Sequence, residues 1–248
     1  MTPAFFTQQQ TAVLDKKLIP KHIAIIPDGN RRWAKQRRSL TEFGHREGAN
    51  VIIDIVNAAK ELGVQTITIY LFSTENWFRP YLEVKALMWL LEEFLNSQRQ
   101  SMVNSGIRVS TIGHLPSLSK SALECIDKSI QATAHCDKIN LVLALNYGSR
   151  NEICRAAQKI VRDIEQGKIS AEAIDEKVFS SYLDTAQWGD PDLLIRTSGE
   201  MRLSNFLLWQ ASYTEIYVID ILWPDFRPVH LLEAVHNYQM RDRRLGGA

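Results

Sequence analysis

Apolar positions along this chain fall into two alternating spacings. Ile23-Ala24-Ile25-Ile26 is an unbroken apolar run that stops at Pro27-Asp28-Gly29-Asn30, the pattern of a buried strand discharging into a turn. From Gly48 to Leu62 the spacing changes: Val51, Ile52, Ile55, Val56, Ala59 and Leu62 recur at helical intervals, with Gly63 placed to end the helix. Gln65 to Phe72 alternates Thr66 and Thr68 with Ile67, Ile69 and Leu71, a strand signature. Pro80 opens a long helix with Val84, Leu87, Met88, Leu91 and Leu95 on one face, ending near Gly106. Further strands are predicted at Ile107 to Ile112, Ile139 to Leu145, Leu193 to Arg196 and Ile216 to Ile219. Helices are predicted over Ser119 to Ala134 and Ser149 to Gln166, the second with a capping box from Ser149 and Glu152. The alternation predicts an α/β fold, a single domain with a largely parallel sheet of about six strands flanked by helices.

No Gly/Ser/Pro-rich linker and no solenoid period divides the chain. One domain over 21–248 is therefore expected, preceded by an N-terminal arm over 1–20 that is polar enough for a mobile segment or a short helix. The last residues, from Asn237, are expected to end a helix in the basic cluster Arg241, Arg243 and Arg244. Charge narrows the partners: 29 Lys+Arg against 28 Asp+Glu leave a formal +1, which gives no support for nucleic-acid binding. The cations gather instead at Arg31, Arg32, Lys35, Arg37 and Arg38, as suits a small anionic ligand. Cys125, Cys136 and Cys154 form no C-x-x-C pair, so reduced thiols and a cytoplasmic setting are expected. The first ten residues carry no secretory pattern, and runs such as Leu141 to Leu145 are too short to span a bilayer. Any membrane contact is expected to be peripheral.

Three segments carry candidate chemistry at predicted strand ends. Asp28, Gly29, Asn30, Arg31, Arg32 and Trp33 follow the first strand, at the edge where open α/β sheets bind ligands. Arginine forks chelate phosphate oxygens, and a neighbouring carboxylate can hold a divalent cation that neutralises the same phosphates. The same residues also read as a solvated basic turn. His45 is placed just before a helix N-terminus, a position that favours anions, with simple packing as the alternative. Ser73, Thr74, Glu75, Asn76, Trp77 and Arg79 follow the second strand. Ser73 and Glu75 suit a helix cap, but the set is richer than a cap needs. An amide such as Asn76 is no strong base, yet it can orient water or a reacting group. Arg196, Arg202, Leu203 and Ser204 follow a third strand and suit a diphosphate cradle, or a solvated loop in which Arg202 pairs with Glu200. Glu215 by itself reads as an ordinary surface carboxylate.

Missing motifs exclude other chemistries. The chain has no G-x-x-x-x-G-K-[ST] and no G-x-G-x-x-G, so neither a Walker site nor a dinucleotide site is expected. It also lacks H-E-x-x-H, a cysteine cluster, D-D-x-x-D and a G-x-S-x-G elbow. An aspartate-nucleophile phosphatase would place a second aspartate two residues after Asp28, where this chain has Asn30.

The blocks His22 to Asn30, Phe72 to Pro80, Asn146-Tyr147-Gly148, Ile195 to Gln210 and Trp223-Pro224-Asp225-Phe226 closely resemble the cis-prenyltransferases, nearest to the bacterial undecaprenyl diphosphate synthases. The resemblance implies a homodimeric, magnesium-dependent enzyme that adds isopentenyl diphosphate in cis to an allylic diphosphate such as farnesyl diphosphate. Its product would be a polyprenyl diphosphate, the undecaprenyl carrier of cell-wall synthesis, with membrane contact through that lipid. By resemblance, Asp28 is the catalytic Mg2+-binding aspartate, and Gly29, Asn30 and Arg32 cradle the allylic diphosphate. Arg31, Trp33 and His45 would border the same site. Ser73, Thr74, Glu75, Asn76, Trp77 and Arg79 resemble the loop over the reacting ends, with Asn76 as the proton-handling residue. Arg196, Arg202, Leu203 and Ser204 resemble the isopentenyl diphosphate cradle, and Glu215 the second metal-associated carboxylate.

The chain departs from the family pattern at four places. Arg31 and Ser198 stand where glycines are usual, Thr41 replaces an arginine, leaving Arg37 or Arg38 to supply that contact, and Leu71 occupies a position where long-chain members carry alanine. The last change predicts a shorter product, because packed interiors do not stretch freely. A non-catalytic partner subunit would be expected to have lost its diphosphate-binding groups, whereas Asp28, Asn76, Arg196, Arg202 and Glu215 are all present.

Overall fold

The computed structural model describes residues 4–242. Six strands, β1 (His22–Ile26), β2 (Thr66–Ser73), β3 (Ile107–Ile112), β4 (Ile139–Tyr147), β5 (Leu193–Thr197) and β6 (Glu215–Ile219), form one sheet in the order β3-β4-β2-β1-β5-β6. Every neighbouring pair is parallel. Parallel strands covered on both faces read as continuous apolar runs rather than alternations, and β1 is accordingly buried along its whole length.

The helices are α1 (Gln8–Thr11), α2 (Asn30–Gln36), α3 (Thr41–Leu62), α4 (Tyr81–Ser105), α5 (Lys120–Thr133), α6 (Ser149–Glu165), α7 (Glu176–Ser181) and α8 (Pro228–Gln239). The larger core joins α3, α4, α5 and α8 to one set of strand residues, among them Ile23, Ile25, Ile67, Ile69, Leu141 and Leu143. The alternate residues, Ala24, Ile26, Val142, Ala144 and Leu194, pack with Tyr147, Phe206 and Leu207. This second core places the segment after β5 against the sheet.

Chain direction fixes where a ligand belongs. From β1 the chain crosses to β2 on one side, whereas β5 lies on the other side of β1. The connections after β1 and β5 therefore part at their carboxyl ends and leave a crevice, the switch point of an open sheet.

Two expected element ends are corrected. The helix expected from Gly48 begins at Thr41. Gly44 and Gly48 serve close approach: a Cβ on Gly44 would lie 2.1 Å from the Asn30 carbonyl oxygen, and one on Gly48 2.5 Å from Asn30 Oδ1. The capping box expected from Ser149 and Glu152 does not form. Gly148 is the N-cap, Ser149 Oγ accepts from the Leu208 amide at 2.9 Å, and Glu152 is buried. Glu152 accepts from Tyr147 Oη at 2.5 Å, the Asp184 amide at 2.9 Å and Gln210 Nε2 at 3.1 Å, and burial pushes its carboxyl pKa up. Of the two forms expected for the N-terminal arm, the short helix is present, and it is anchored. The amides of Phe5 and Phe6 donate to the Glu61 carboxylate, and Phe6 is buried in the larger core.

Candidate active site

Pro27 and Asp28 leave the end of β1 beside the end of β5, and Thr197 ties the two together. Thr197 Oγ1 lies 2.8 Å from the Asp28 amide and 2.7 Å from the Asp28 carbonyl. The next residue, Gly29, turns the chain into α2 at φ +109°, where a side chain would also strike Leu222. Asp28 Oδ2 accepts from Arg196 Nη2 at 2.8 Å, and the nearest Arg32 nitrogen stands 4.0 Å from Oδ1. Arg196 is only 3 % exposed. Its Nη1 donates to Ser204 Oγ at 2.8 Å and to the Arg202 carbonyl, while its Nε lacks a partner among the described residues. A guanidinium this deep needs a carboxylate, since burying an unpaired charge costs several kcal/mol.

A cavity of about 620 Å³ opens at this edge. Nine of the expected site residues line it: Asp28, Asn30, His45, Ser73, Glu75, Asn76, Arg79, Arg196 and Ser204. The rest of its wall is largely apolar, from β2 (Leu71), α3 (Ile52) and α4 (Leu87, Met88, Leu90, Leu91, Phe94). Val84, Ile67 and Ile69 belong to the larger core without reaching the cavity.

On the β2 side, Asn76 Oδ1 accepts from the Ser73 amide at 3.0 Å. Glu75 accepts from Asn205 Nδ2 at 2.8 Å. Burial raises the pKa of Glu75, but bonds from Asn205 and from the surrounding turn outweigh it, so the net shift is downward. Arg79 pairs with Glu83 at 3.0 Å. His45 lies on the second turn of α3 and not before a helix start, because α3 begins early. Its Nδ1 is 3.4 Å from Asn30 Nδ2, whereas Nε2 has no hydrogen-bond partner among the described residues. Burial, reinforced by the nearby Arg79 charge, lowers its pKa to about 4.

Several expected groups lie elsewhere. Trp33 Nε1 donates to Asp225 Oδ1 at 2.9 Å and its ring carries the Arg37 guanidinium 4.0 Å above, so both face Asp225 rather than the cavity. Arg37 is therefore committed, and Arg38 is exposed. Trp77 packs edge-on against Phe72 and donates to Asn146 Oδ1 at 2.7 Å. Thr74 sits under Gly148, where a Cβ would come within 2.5 Å of its hydroxyl. Leu203 packs against the second core. Arg202 is exposed and pairs with Glu200, which also holds Arg32 at 3.3 Å. Arg31 reaches Glu83 at 3.9 Å. Ser198 adopts φ +75°, a conformation that explains the family glycine, and accepts a hydrogen bond from Arg32.

Glu215 is not brought to Asp28 within this chain. It opens β6, level with Ile23 through Leu193. Asp28 lies five residues farther along that direction, about 16 Å at strand rise. Glu215 instead pairs with Arg241 at 2.6 Å. Arg243, Arg244 and the glycine pair after them lie outside the described residues.

Tyr70, Asn146, Asn205 and Glu83 help to build the site without having been singled out for it. Tyr70 and Asn205 line the cavity, and Asn146 at φ +46° bridges Trp77 and the His114 carbonyl. A polar residue near the end of an apolar strand, two residues before Gly148, was the available signal for Asn146.

The family model described as "Putative undecaprenyl diphosphate synthase" matches residues 26–246. Isoprenyl transferases of Geobacillus kaustophilus and Bacillus subtilis are each 49% identical over 229 residues, covering 92% of this chain and 89% and 88% of theirs. Among solved structures, lavandulyl diphosphate synthase from Lavandula x intermedia, in complex with dimethylallyl diphosphate, superposes with a TM-score of 0.91 at 38% identity, covering 93% of this chain and all of that one. A probable undecaprenyl diphosphate synthase from Campylobacter jejuni gives 0.77 at 32% identity, covering 92% and 99%. With the matched model spanning the crevice and both of its flanks, the chain belongs to the undecaprenyl diphosphate synthase family of isoprenyl transferases.

Proposed function

We propose that the chain condenses isopentenyl diphosphate onto an allylic diphosphate, farnesyl diphosphate, and repeats the step to build a polyprenyl diphosphate in the cytoplasm, the undecaprenyl carrier used for cell-wall synthesis. The observation that carries this reading is the division of one cavity into a charged edge and an apolar wall. In each cycle the allylic C–O bond breaks, a carbon–carbon bond forms to the terminal carbon of isopentenyl diphosphate, one proton leaves and inorganic diphosphate departs.

Charge develops on the leaving oxygens, so fixed donors aimed at them stabilise the transition state more than the ground state. Arg32 is the exposed guanidinium beside Asp28, and His45 adds a neutral donor. Asn30 Nδ2 stands 3.4 Å from Nδ1; an amide donating there would place the ring proton on Nε2, which has no hydrogen-bond partner among the described residues and has Glu83 Oε1 at 3.9 Å. Asn76 orients through its Nδ2, because its oxygen is already used. Arg202 is the exposed cation for the second diphosphate, released from Glu200 on binding. Arg196 holds Asp28 and Ser204 in place.

The residues fit magnesium of a particular kind. Among the described residues no group of three or more His, Cys, Asp or Glu side chains forms a cage, and Mg2+ bound to diphosphates needs only one or two protein carboxylates. Asp28 would hold it through Oδ1, and the ion would neutralise the departing diphosphate. A homodimer is supported by β6, an edge strand whose neighbourhood exposes Tyr213, Ile216 and Met240. No helix among the described residues is long and apolar enough to cross a membrane; the membrane contact in this reading is peripheral and includes the lipid product.

Purified chain given labelled isopentenyl diphosphate, farnesyl diphosphate and Mg2+ should yield a ladder of extended products. Absence of extension would support the non-catalytic partner reading, and inorganic phosphate released from farnesyl diphosphate alone would support the phosphatase. A short-chain product is the second reading, favoured by Leu71 in the cavity wall and by the likeness to lavandulyl diphosphate synthase. Sizing the ladder separates it from a long-chain product.

A further inference from the structure

Helix α4 is apolar on two opposite faces. Val84, Met88, Leu91 and Leu95 are buried in the larger core, and Leu87, Met88 and Leu91 line the cavity. A second stripe faces outward at its start: Tyr81, Leu82 and Trp89 are 77, 76 and 51% exposed, and Phe78, just before the helix, is 91% exposed. Tyr81, Leu82, Lys85 and Trp89 share one face by helical spacing, and Lys85 is exposed as well. Beyond Trp89 the exposed positions turn polar, with Glu93, Asn96, Ser97 and Gln100. Contiguous exposed apolar surface of this kind marks an interaction site.

Its chemistry selects the partner. Tyrosine and tryptophan rings settle at the headgroup level of bilayers, and lysine or arginine beside them adds attraction to anionic lipid. Arg31 reaches Glu83 of α4, so the α2 face that carries it borders the stripe. Lys35 lies on that same face by spacing, and Arg38 follows the end of the helix as an exposed cation. Lys35, Arg38 and Lys85 make no ion pair among the described residues. Arg46 of α3 stands 5.4 Å from the Trp89 ring centre and pairs with Glu93. Glu83 turns inward to Arg79, while Glu42 and Glu47 are exposed on α3, so the positive border is confined to α2 and α4.

We propose that the Tyr81–Leu82–Lys85–Trp89 stripe docks on an anionic lipid bilayer, setting the apolar wall of the cavity beside the phase that a prenyl product enters. The proposal rests on the polyprenyl product argued above. A second copy of the chain has a different exposed face available at β6.

The test mixes the whole chain with sedimentable phosphatidylcholine vesicles containing about one third phosphatidylglycerol. The chain should pellet with them, and much less with phosphatidylcholine alone. A Tyr81→Ser, Leu82→Ser, Trp89→Ser variant should lose roughly tenfold in partitioning, with its thermal midpoint and its turnover of soluble substrates unchanged. Lys85→Glu should weaken binding most at low salt. A wild-type chain that stays in the supernatant, or a triple variant that pellets like wild type, would overturn the proposal. So would a triple variant of smaller oligomeric size, because the stripe would then be a contact between copies. Vesicle binding as expected without farnesyl diphosphate extension would sink the product reading and spare the surface, whereas extension without binding would do the reverse.

Discussion

The two flanks of β1 at its carboxyl end are built by different physics. On the β5 flank each charged group is held by another: Arg196 by Asp28, Arg32 by Ser198 and Glu200, and Arg202 by Glu200. The backbone there is also held in rare conformations, with positive φ at Ser198, Ser204, Asn205 and Leu207. On the β2 flank the groups from Ser73 to Arg79 face a wall of leucine, methionine and phenylalanine from α4. Charge is placed in advance where diphosphate chemistry needs it, and shape is placed where only volume matters. The first arrangement stores electrostatic preorganisation, and the second a closely packed boundary.

The heaviest blow to the charged flank is Asp28→Ala. It should cost about 4 kcal/mol or more in kcat/KM. It also strands the Arg196 guanidinium, so chemical denaturation should show a further loss of roughly 3 to 5 kcal/mol. Asp28→Asn should recover most of the stability and little of the turnover. Near-normal turnover in Asp28→Ala would remove the carboxylate from the chemistry.

Next in size is a pH effect that contrasts the two ends of the sheet. Burial lowers the pKa of His22 to about 4, and burial with the Arg79 charge does the same for His45, against an ordinary 6.5. Between those values the unfolded chain binds protons that the folded chain refuses. Stability should therefore be full above pH 6.5, fall toward pH 4 and level off below, by on the order of 3 kcal/mol per histidine. Replacing either residue with glutamine should flatten its share of the curve of thermal midpoint against pH. The ends then part: His22 bonds Thr68 and Gly189 through both ring nitrogens, whereas His45 Nε2 has no hydrogen-bond partner among the described residues, with Glu83 Oε1 at 3.9 Å. Saturating farnesyl diphosphate should restore acid stability through His45 alone. Equal restoration in the His45→Gln variant would take His45 out of the site.

A smaller effect sharpens the division within the charged flank. Because Arg202 is exposed and Arg196 is buried on Asp28, Arg202→Ala should raise KM for isopentenyl diphosphate by roughly 1 to 3 kcal/mol and leave farnesyl diphosphate binding intact. Arg202→Lys should rescue part of the loss, lacking the two-pronged fork. Arg196→Ala should impair both substrates, since Asp28 loses its anchor. Steady-state kinetics with each substrate varied in turn would show whether the two arginines separate in this way.

Much of this arrangement was legible in the residues. Strands such as β1 and β5 announced themselves as apolar runs and β2 as an alternation of threonine with isoleucine and leucine, and each candidate loop follows one of these predicted strands. Side-chain direction was not legible. Trp33 and Asp28 are five residues apart in sequence, yet α2 turns the indole to Asp225. Arg196 and Arg202 looked like one cradle, but strand alternation buries the first while the loop exposes the second. Glu215 by itself read as a surface carboxylate, and only the family resemblance put it beside the metal. A residue that opens a parallel strand lies at the wrong edge for a site at the strand ends. Gly44 and Gly48 hid the first turns of α3, because close approach and chain breaking share one residue type.

The central claim is that the apolar wall on the β2 flank holds the growing chain, and Leu71 tests it most directly, since it lines the cavity and also packs against the core. Product length and thermal stability should be measured on the same Leu71→Ala protein. The account predicts a shift of the product ladder to longer chains, with the first condensation unchanged and a stability loss below the roughly 2 to 5 kcal/mol expected for a leucine buried in ordinary core. An unchanged ladder with a loss in that range would contradict it.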